Sequence, residues 1–170
     1  MKIHMYSILL TLFVMVQFFP TAAFAQKKPV DPPAAPVPPQ IASALSVFIS
    51  NATGQGFSPK GVADLTYNEF YADMKAWGKY ELVPRPADAD LVIEIRYMQS
   101  ASDAGMNELF SAVIRDYRTR TILWSVSEII PQGGSDSSAR KKFDQALLTL
   151  VDDLKKLTAA NTASAAQPHH

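Results

Sequence analysis

The residue types that carry most enzyme chemistry are scarce in this 170-residue sequence. It has no cysteine, and its three histidines are His4, near the start, and His169 and His170 at the end. Thiol chemistry, Cys/His metal sites and the usual base for a serine nucleophile are therefore missing from the middle of the chain. Carboxylates, lysines and tyrosines remain as catalysts, but no spacing marks any two acids as a pair. We predict no catalytic residue, no metal and no cofactor.

One glycine-rich loop has the position of a phosphate-binding loop. Gly54, Gln55 and Gly56 lie between a predicted strand and a predicted helix, where backbone N–H groups at a helix start can bind an anion. A dinucleotide fingerprint would place its third glycine at Pro59, and the Lys-Ser/Thr pair of a P-loop is absent. We interpret Gly54–Phe57 as a connecting loop that is free to contact a partner.

A cluster of acids precedes the most strongly patterned strand. Asp88, Asp90 and Glu94 could supply oxygen ligands to a hard cation, but three acids spread over a loop and a strand are too few. Asp88 is expected to cap a turn instead. Tyrosines around the first long helix could line a groove between helices and sheet, which leaves a carrier of a small apolar ligand as an alternative function.

The amino terminus has the three-part layout of a secretory signal peptide. Lys2 is followed by an apolar run from Ile8 to Phe19 and by the small-residue site Ala23-Phe24-Ala25. The run is shorter than the ~20 residues that span a bilayer. We therefore predict a signal peptide over 1–25, cleavage after Ala25 and no stable membrane insertion afterwards.

Composition divides the remaining chain into three parts. Residues 26–44 contain six prolines and are expected to form an extended linker. Residues 45–158 are long enough for one domain, and 159–170 hold too little apolar surface to fold, so a disordered tail is predicted. Removal of Lys2 with the signal peptide leaves 15 basic and 16 acidic residues, a net charge of −1. That balance argues against nucleic acid as a partner.

Hydrophobic periodicity supplies the elements that would position these residues. Amphipathic helices are predicted from Pro59 to Trp77, ended by Gly78, and from Ala139 to Leu157. Alternating or short apolar runs predict five strands, at Leu45–Ile49, Tyr80–Val83, Leu91–Met98, Leu109–Asp116 and Thr121–Ile130. The last three strands are separated by connections that favour two antiparallel hairpins.

The expected fold class is α/β (α+β), in the order β-α-β-β-β-β-α. The third predicted strand has apolar residues on one face and Glu94 and Arg96 on the other, as a sheet with one wet side does. The simplest architecture is a two-layer sandwich, with a mixed sheet of about five strands and two helices on one face. Trp77 and Trp124 are predicted as core anchors from opposite layers, each costing about 3–5 kcal/mol if replaced by alanine.

The sequence also resembles a group of known domains. The stretch Ala-Asp-Leu-Val-Ile at 89–93 and the turn Asp-Tyr-Arg-Thr-Arg at 116–120, leading to Trp124, are similar to segments of the TolB amino-terminal domain and of the periplasmic part of curli-secretion channels. This resemblance implies an anticodon-binding-like fold and a non-catalytic module that binds envelope proteins. The family pattern has glycine where this chain has Arg120, so either the turn differs or Arg120 has a left-handed backbone.

These observations together favour an exported, non-enzymatic interaction module of the bacterial cell envelope. Its partner would be another envelope or secreted protein, contacted through the proline-rich linker, the Gly54–Phe57 loop or an open sheet edge. The alternatives are a small-ligand carrier and a carboxylate-dependent hydrolase, either of which needs a pocket with convergent polar groups.

Overall fold

A computed structural model describes residues 35–54, 59–102 and 105–165. The elements in chain order are helix α1 (Pro39–Ser43), strand β1 (Ser46–Asn51), helix α2 (Val62–Trp77), strand β2 (Glu81–Leu82), a 3₁₀ turn (Pro86–Asp88), strands β3 (Leu91–Ser102), β4 (Gly105–Asp116) and β5 (Ile122–Ile130), and helix α3 (Asp136–Ala165). No helix among these residues is long and apolar enough to cross a membrane.

The strands form one mixed sheet in the order β2-β1-β3-β4-β5. Strand β1 runs parallel to both β2 and β3, because α2 and the turn after it return the chain to the end of the sheet where β1 begins. The last three strands form the two predicted antiparallel hairpins. The sheet therefore has a parallel half and an antiparallel half.

Helices α2 and α3 pack against the same face of this sheet and against each other. The core between the two layers is filled by large apolar side chains, of which the most completely buried include Phe70, Met74, Ile95, Phe110, Leu147 and Leu150. The predicted two-layer α/β sandwich is thus confirmed. The predicted end of α2 at Trp77, followed by Gly78 in a left-handed conformation (φ 68°), is also confirmed.

The domain begins earlier than the sequence predicts. Residues 39–43 form helix α1, although 26–44 was expected to be linker, and Ile41 is 1% exposed within the core. The Tyr80 hydroxyl donates a hydrogen bond to the Ile41 carbonyl at 2.7 Å, and Lys79 Nζ donates to the Ala42 carbonyl at 2.9 Å. Pro39 suits the first turn of a helix, so the end of the proline-rich segment belongs to the fold.

Strands β3 and β4 are longer than predicted. The stretch from 99 to 107 was expected to be a loop, yet strand pairing continues from Gln99↔Glu108 to Ser102↔Gly105. Its small and polar residues have low intrinsic strand propensity, but pairing with a neighbouring strand outweighs that preference. The hairpin therefore projects beyond the rest of the sheet.

Helix α3 is also longer than predicted. It extends to Ala165, whereas a disordered tail was expected from Ala159, so that prediction is wrong for 159–165. Adding residues to a helix that already exists is much easier than starting one, and alanine is the best helix former. Residues 166–170, with His169 and His170, lie outside the described residues, as do the predicted signal peptide and the first part of the linker.

The two tryptophans lie at the rim of the core. Trp77 and Trp124 are half-buried and pack against the core from the α2 end and from β5. Trp77 contacts Tyr80 edge to face at a centroid distance of 5.3 Å. The centre of the core is instead occupied by Phe110, which contacts Phe143 edge to face at 4.8 Å.

Asp90 fixes the start of β1 to the start of β3. Its Oδ2 accepts hydrogen bonds from the backbone N–H groups of Leu45 (2.9 Å) and Ser46 (3.1 Å). These two bonds hold the pKa of Asp90 below its ordinary value, because they stabilise the charged carboxylate. Asp90 belongs to the Ala-Asp-Leu-Val-Ile stretch that carries the resemblance, and its role in this structure is to join the start of β1 to the start of β3.

The turn between β4 and β5 places Arg120 in a left-handed backbone conformation, with φ 59°. The sequence left two alternatives, a different type of turn or a left-handed Arg120, and the structure has the left-handed Arg120. We predict that Arg120→Gly raises the free energy of unfolding by about 1 kcal/mol, because the clash of Cβ in this conformation is removed. Urea denaturation measures the change.

The matched control is Arg118→Gly in the same turn. Arg118 is also exposed, but Arg120 has the one positive φ among the described non-glycine residues. Arg118→Gly is expected to destabilise slightly, because glycine has more freedom in the unfolded chain. Equal effects of the two substitutions would show that the backbone of Arg120 is not strained.

Candidate interaction surface

The face of the sheet opposite the helices carries cross-strand rows of side chains that the register defines. One row is apolar, since Met98 pairs with Leu109 and Leu109 pairs with Ile129. Met98 is 40% exposed and Ile129 is 61% exposed. Another row starts with Phe48 and Val92, which are paired neighbours on β1 and β3. Apolar side chains thus lie at both ends of this open face.

The centre of the open face is charged. Glu94 Oε1 lies 3.0 Å from Nε of Arg115 on β4, and Glu94 Oε2 lies 3.5 Å from Arg96 on the same strand. Two guanidinium groups thus share one carboxylate. The Nε atom of Arg96 is buried and has no hydrogen-bond partner among the described residues.

A groove next to this charged centre widens the surface. Its volume is about 320 Å³, and its lining includes Val92, Arg115, Tyr117 and Arg120. Arginine and tyrosine are the residue types that dominate protein–protein hot spots, because both combine apolar area with hydrogen-bond donors. The groove and the apolar row Met98–Leu109–Ile129 belong to the same open face. This face suits a partner surface that has an acidic side chain next to an apolar side chain.

The sheet also has one long free edge. In the part of the chain that the structure describes, β5 has a strand on one side alone. Helix α3 covers one face of β5, while Ser125 and Ser127 on its other face are exposed. The expected open sheet edge is therefore present, and it belongs to β5.

The residues predicted to contact a partner lie mostly outside the described part of the chain. Gly54 is exposed, with nothing within 4 Å of the position of a Cβ. Gln55, Gly56 and Phe57 fall in the segment that the structure does not describe. Their role stays a prediction.

Around the described residues, the space between helices and sheet is filled at its centre, and a cleft of about 240 Å³ remains at one end, beside Leu65, Ile130 and Phe143. Phe70, Phe110 and Leu147 are fully buried and fill the centre. A cleft of about 330 Å³ lies at the rim of the domain, beside Leu45 and Arg118. Sites for small molecules are usually enclosed and reach about 300–1,000 Å³, so this shallow rim cleft is poorly suited to one.

A polar cluster lies at the end of the β3–β4 hairpin. Gln99 Nε2 donates to the Tyr97 hydroxyl and to Glu108 Oε1, both at 3.3 Å. Burial raises the pKa of Tyr97. Burial also acts to raise the pKa of Glu108, but hydrogen bonds from Tyr97, Gln132 and Gln99 outweigh it and lower that pKa. The phenol and the carboxylate therefore keep their ordinary charges at neutral pH, which suits a structural hydrogen bond better than proton transfer.

The acids near β3 do not converge on one point. Asp88 pairs with Arg85 at 2.7 Å, Asp90 caps the start of β1, and Glu94 lies on the open face with its arginines. No group of three or more possible metal ligands occurs among residues 35–54, 59–102 and 105–165. Asp88 was expected to cap a turn, but its carboxylate binds the Arg85 side chain, and the 3₁₀ turn has no side-chain cap.

One pair of carboxylates does meet between α2 and α3. Burial is the main cause that raises the pKa of Asp73, Lys155 opposes it, and the negative charge of Asp144 adds to it. Asp144 is in turn bound by Arg140, whose Nε lies 2.8 Å from Oδ1. Arg140 also binds Glu69 of α2, so the cluster joins the two helices.

We predict that Asp73→Asn stabilises the protein at neutral pH and that the gain disappears in acid. A carboxyl whose pKa is raised by folding is protonated more easily in the folded state, so its contribution to stability falls as pH rises through that raised pKa. Asparagine removes the charge. Thermal unfolding of both proteins at pH 7 and at pH 3 tests this prediction. Asp64→Asn, at an exposed position of α2, is the control. A gain in stability from Asp73→Asn that persisted at pH 3 would contradict the prediction.

Comparison with known proteins finds similarity in fold alone. No protein-family model and no curated protein sequence matches the chain. A PelC dodecamer structure from Paraburkholderia phytofirmans is 13% identical, with a TM-score of 0.49 over 65% of this chain and 88% of that one. A putative neuraminyllactose-binding hemagglutinin homolog from Helicobacter pylori is 15% identical, with a TM-score of 0.47 over 78% and 95%.

A third structure extends the same observation. Lipoprotein GNA1162 from Neisseria meningitidis is 17% identical, with a TM-score of 0.40 over 64% of this chain and 99% of that one. Identities and scores this low carry no functional argument. The resemblance correctly implied a small α/β domain, and its more specific part, to TolB and curli-secretion channels, stays a prediction.

Proposed function

We propose that this chain is an exported, non-enzymatic interaction module of the bacterial cell envelope. It binds another envelope or secreted protein through the open face of its sheet. The observation that carries the proposal is that face itself, where helices cover one side of the sheet and the other side presents Met98, Ile129 and a charged centre. The signal-peptide pattern at 1–25 supports export.

The chemistry of the open face defines the partner surface that would fit it. Arg96 and Arg115 share the single carboxylate of Glu94, so the centre has an excess of positive charge. A partner carboxylate beside an apolar side chain would pair with a guanidinium group while covering Met98 and Ile129. We expect the partner to be acidic at this contact.

The proposal is tested by a photo-crosslinking amino acid placed on the open face. Met98 and Val113 are substituted in turn, in cells that export the full chain, and Lys75 on the outer side of α2 is the matched control. We expect one reproducible protein adduct from Met98 and Val113 and none from Lys75. Adducts of equal yield from all three positions, or none from the open face, would contradict the proposal.

A charge reversal then tests the chemistry of the contact. Arg115→Glu is expected to remove the adduct formed at Met98, because it would repel an acidic partner. Arg118→Glu, in the neighbouring turn and exposed, is expected to leave that adduct unchanged. Circular dichroism verifies that both variants fold. An unchanged adduct with a folded Arg115→Glu would show that the partner does not use the charged centre.

A further inference from the structure

The two arginines of the β4–β5 turn differ in their electrostatic surroundings. Hydrogen bonds from backbone N–H groups are the main cause that lowers the pKa of Asp90 and of Asp116, and the positive charge of Arg118 adds to it in both. Arg118 therefore has two carboxylates nearby. Arg120 is exposed and takes part in no ion pair within residues 35–54, 59–102 and 105–165. The charge of Arg120 is thus available to a group from outside.

The turn holds Arg120 in a fixed and strained conformation. Asp116 Oδ1 accepts a hydrogen bond from the Thr119 N–H at 2.7 Å, and the Arg120 N–H donates to the Asp116 carbonyl at 2.9 Å. The positive φ of Arg120, 59°, is disfavoured for a residue with a Cβ. Strained residues of this kind are concentrated at ligand-binding sites. An arginine at a position that glycine occupies without strain therefore indicates a role for its guanidinium group.

Arg120 lines the groove next to the charged centre of the open face, which we call the Arg120 groove. Its volume is about 320 Å³, and its other walls include Arg115 and the apolar surfaces of Pro86, Val92 and Tyr117. Arginine and tyrosine are the residue types that dominate binding hot spots in protein interfaces. The groove thus combines apolar walls with two guanidinium groups.

Two carboxylates also line the Arg120 groove, and both already have partners. Glu94 binds Arg115 at 3.0 Å and Arg96 at 3.5 Å. Asp116 Oδ1 accepts hydrogen bonds from the N–H and from the hydroxyl group of Thr119, at 2.7 and 3.1 Å. Since two guanidinium groups share the single carboxylate of Glu94, the unbalanced charge of the groove is positive.

Apolar side chains continue from the groove across the open face. The register places Phe48 next to Val92, Val92 next to Arg115 and Arg115 next to Ile122. Residues directly opposite each other lie on the same face of a sheet, and Ile122 is 54% exposed. The Arg115 guanidinium group therefore has an apolar side chain on the strand at either side. A partner that fits here needs a carboxylate with an apolar side chain next to it.

We propose that the Arg120 groove binds an acidic side chain of the partner protein, whose carboxylate pairs with Arg120 while a neighbouring apolar side chain packs on Val92 and Ile122. The inference rests on the proposed function, because Val92, Glu94 and Arg115 line the groove and also belong to the open face. The partner chain continues from the groove onto that face, so the carboxylate belongs to a side chain and not to a chain end. A guanidinium group binds a carboxylate through two parallel N–H···O bonds, and an arginine whose backbone is already fixed loses less entropy on binding.

Arg120→Gly separates partner binding from folding, because the two effects have opposite signs. The substitution is expected to stabilise the fold, since it removes the strain, and to weaken the contact with the partner. The adduct yield from the photo-crosslinking amino acid at Met98, in cells that export the full chain, measures that contact. We expect a yield at least about fivefold lower for Arg120→Gly and an unchanged yield for the matched control Arg118→Gly. An unchanged yield with Arg120→Gly, or an equal fall with Arg118→Gly, would overturn the proposal.

A short peptide tests the chemistry of the groove without the partner. The probe is acetyl-Gly-Leu-Asp-Leu-Gly-amide, and the same peptide with asparagine in place of aspartate is the matched control. NMR titration follows the Arg120 Nε–Hε signal of the ¹⁵N-labelled full chain, which Arg120→Gly assigns by its loss. We expect the aspartate peptide to bind at least about fivefold more tightly than the asparagine peptide. Equal affinities would overturn the proposal, and tighter binding of acetyl-Gly-Gly-Leu with a free carboxyl end would show that the groove takes a chain end instead.

The outcomes distinguish this inference from the proposed function. An adduct at Met98 that persists in Arg120→Gly, with equal affinities of the two peptides, leaves binding through the open face intact and removes the role of Arg120. No adduct from the open face, together with a clear preference for the aspartate peptide, contradicts the proposed function and leaves the groove as a carboxylate site.

Discussion

Replacement of Ile41 by alanine is expected to lower the free energy of unfolding by about 2–5 kcal/mol, the range for large buried aliphatic residues. Ile41 is 1% exposed and lies on α1, which contacts α3. The substitution leaves a cavity that the surrounding layers cannot close. Since small domains have about 5–15 kcal/mol of stability in total, this is a severe loss. Urea denaturation of the exported chain measures it.

The control is Leu45→Ala, four residues later. The sequence places Leu45 in the first buried strand, but its side chain is 76% exposed. We expect its replacement to change the free energy of unfolding by less than about 0.5 kcal/mol. If Leu45→Ala cost more than Ile41→Ala, then α1 would not be part of the core, and the domain would begin at Leu45 as the sequence predicted.

The reversed roles of Ile41 and Leu45 show where sequence patterns stop being informative. Ile41 is a single apolar residue after a run of prolines, and no periodicity marks it. Its burial depends on Tyr80, whose hydroxyl binds its carbonyl from 39 residues further along the chain. A contact of that separation leaves no local signal. The alternation of β3 and the glycine after α2, in contrast, are local, and both were predicted correctly.

The candidate surface was predictable in part. The alternation of β3 indicates that Glu94, Arg96 and Met98 share a wet face. The apolar row from Met98 to Ile129 is visible only once the registers of β3 with β4 and of β4 with β5 are known. Register depends on turn geometry and on a bulge near Arg115, which sequence patterns do not fix. The free edge of β5 likewise follows from strand order.

Phe110→Ala is expected to have the second large effect, a loss of about 3–5 kcal/mol in the free energy of unfolding. Phe110 is 0% exposed and contacts two aromatic rings, Phe143 at 4.8 Å and Tyr97 at 6.3 Å between centroids. Such edge-to-face pairs add about 0.5–1.5 kcal/mol each to the gain from burial. The side chain joins β4 to α3, so its removal weakens both layers at once.

Trp124→Ala is the informative comparison, because the sequence predicts that Trp124 is the anchor of its layer. Trp124 is partly buried on the edge strand, so a part of its ring still contacts water in the folded protein. We expect a loss of about 1–2 kcal/mol, since burial energy scales with the area removed from water. The two variants are compared by their midpoints in urea under the same conditions. A larger loss for Trp124→Ala than for Phe110→Ala would mean that the edge strand, and not the β4–α3 contact, holds the two layers together.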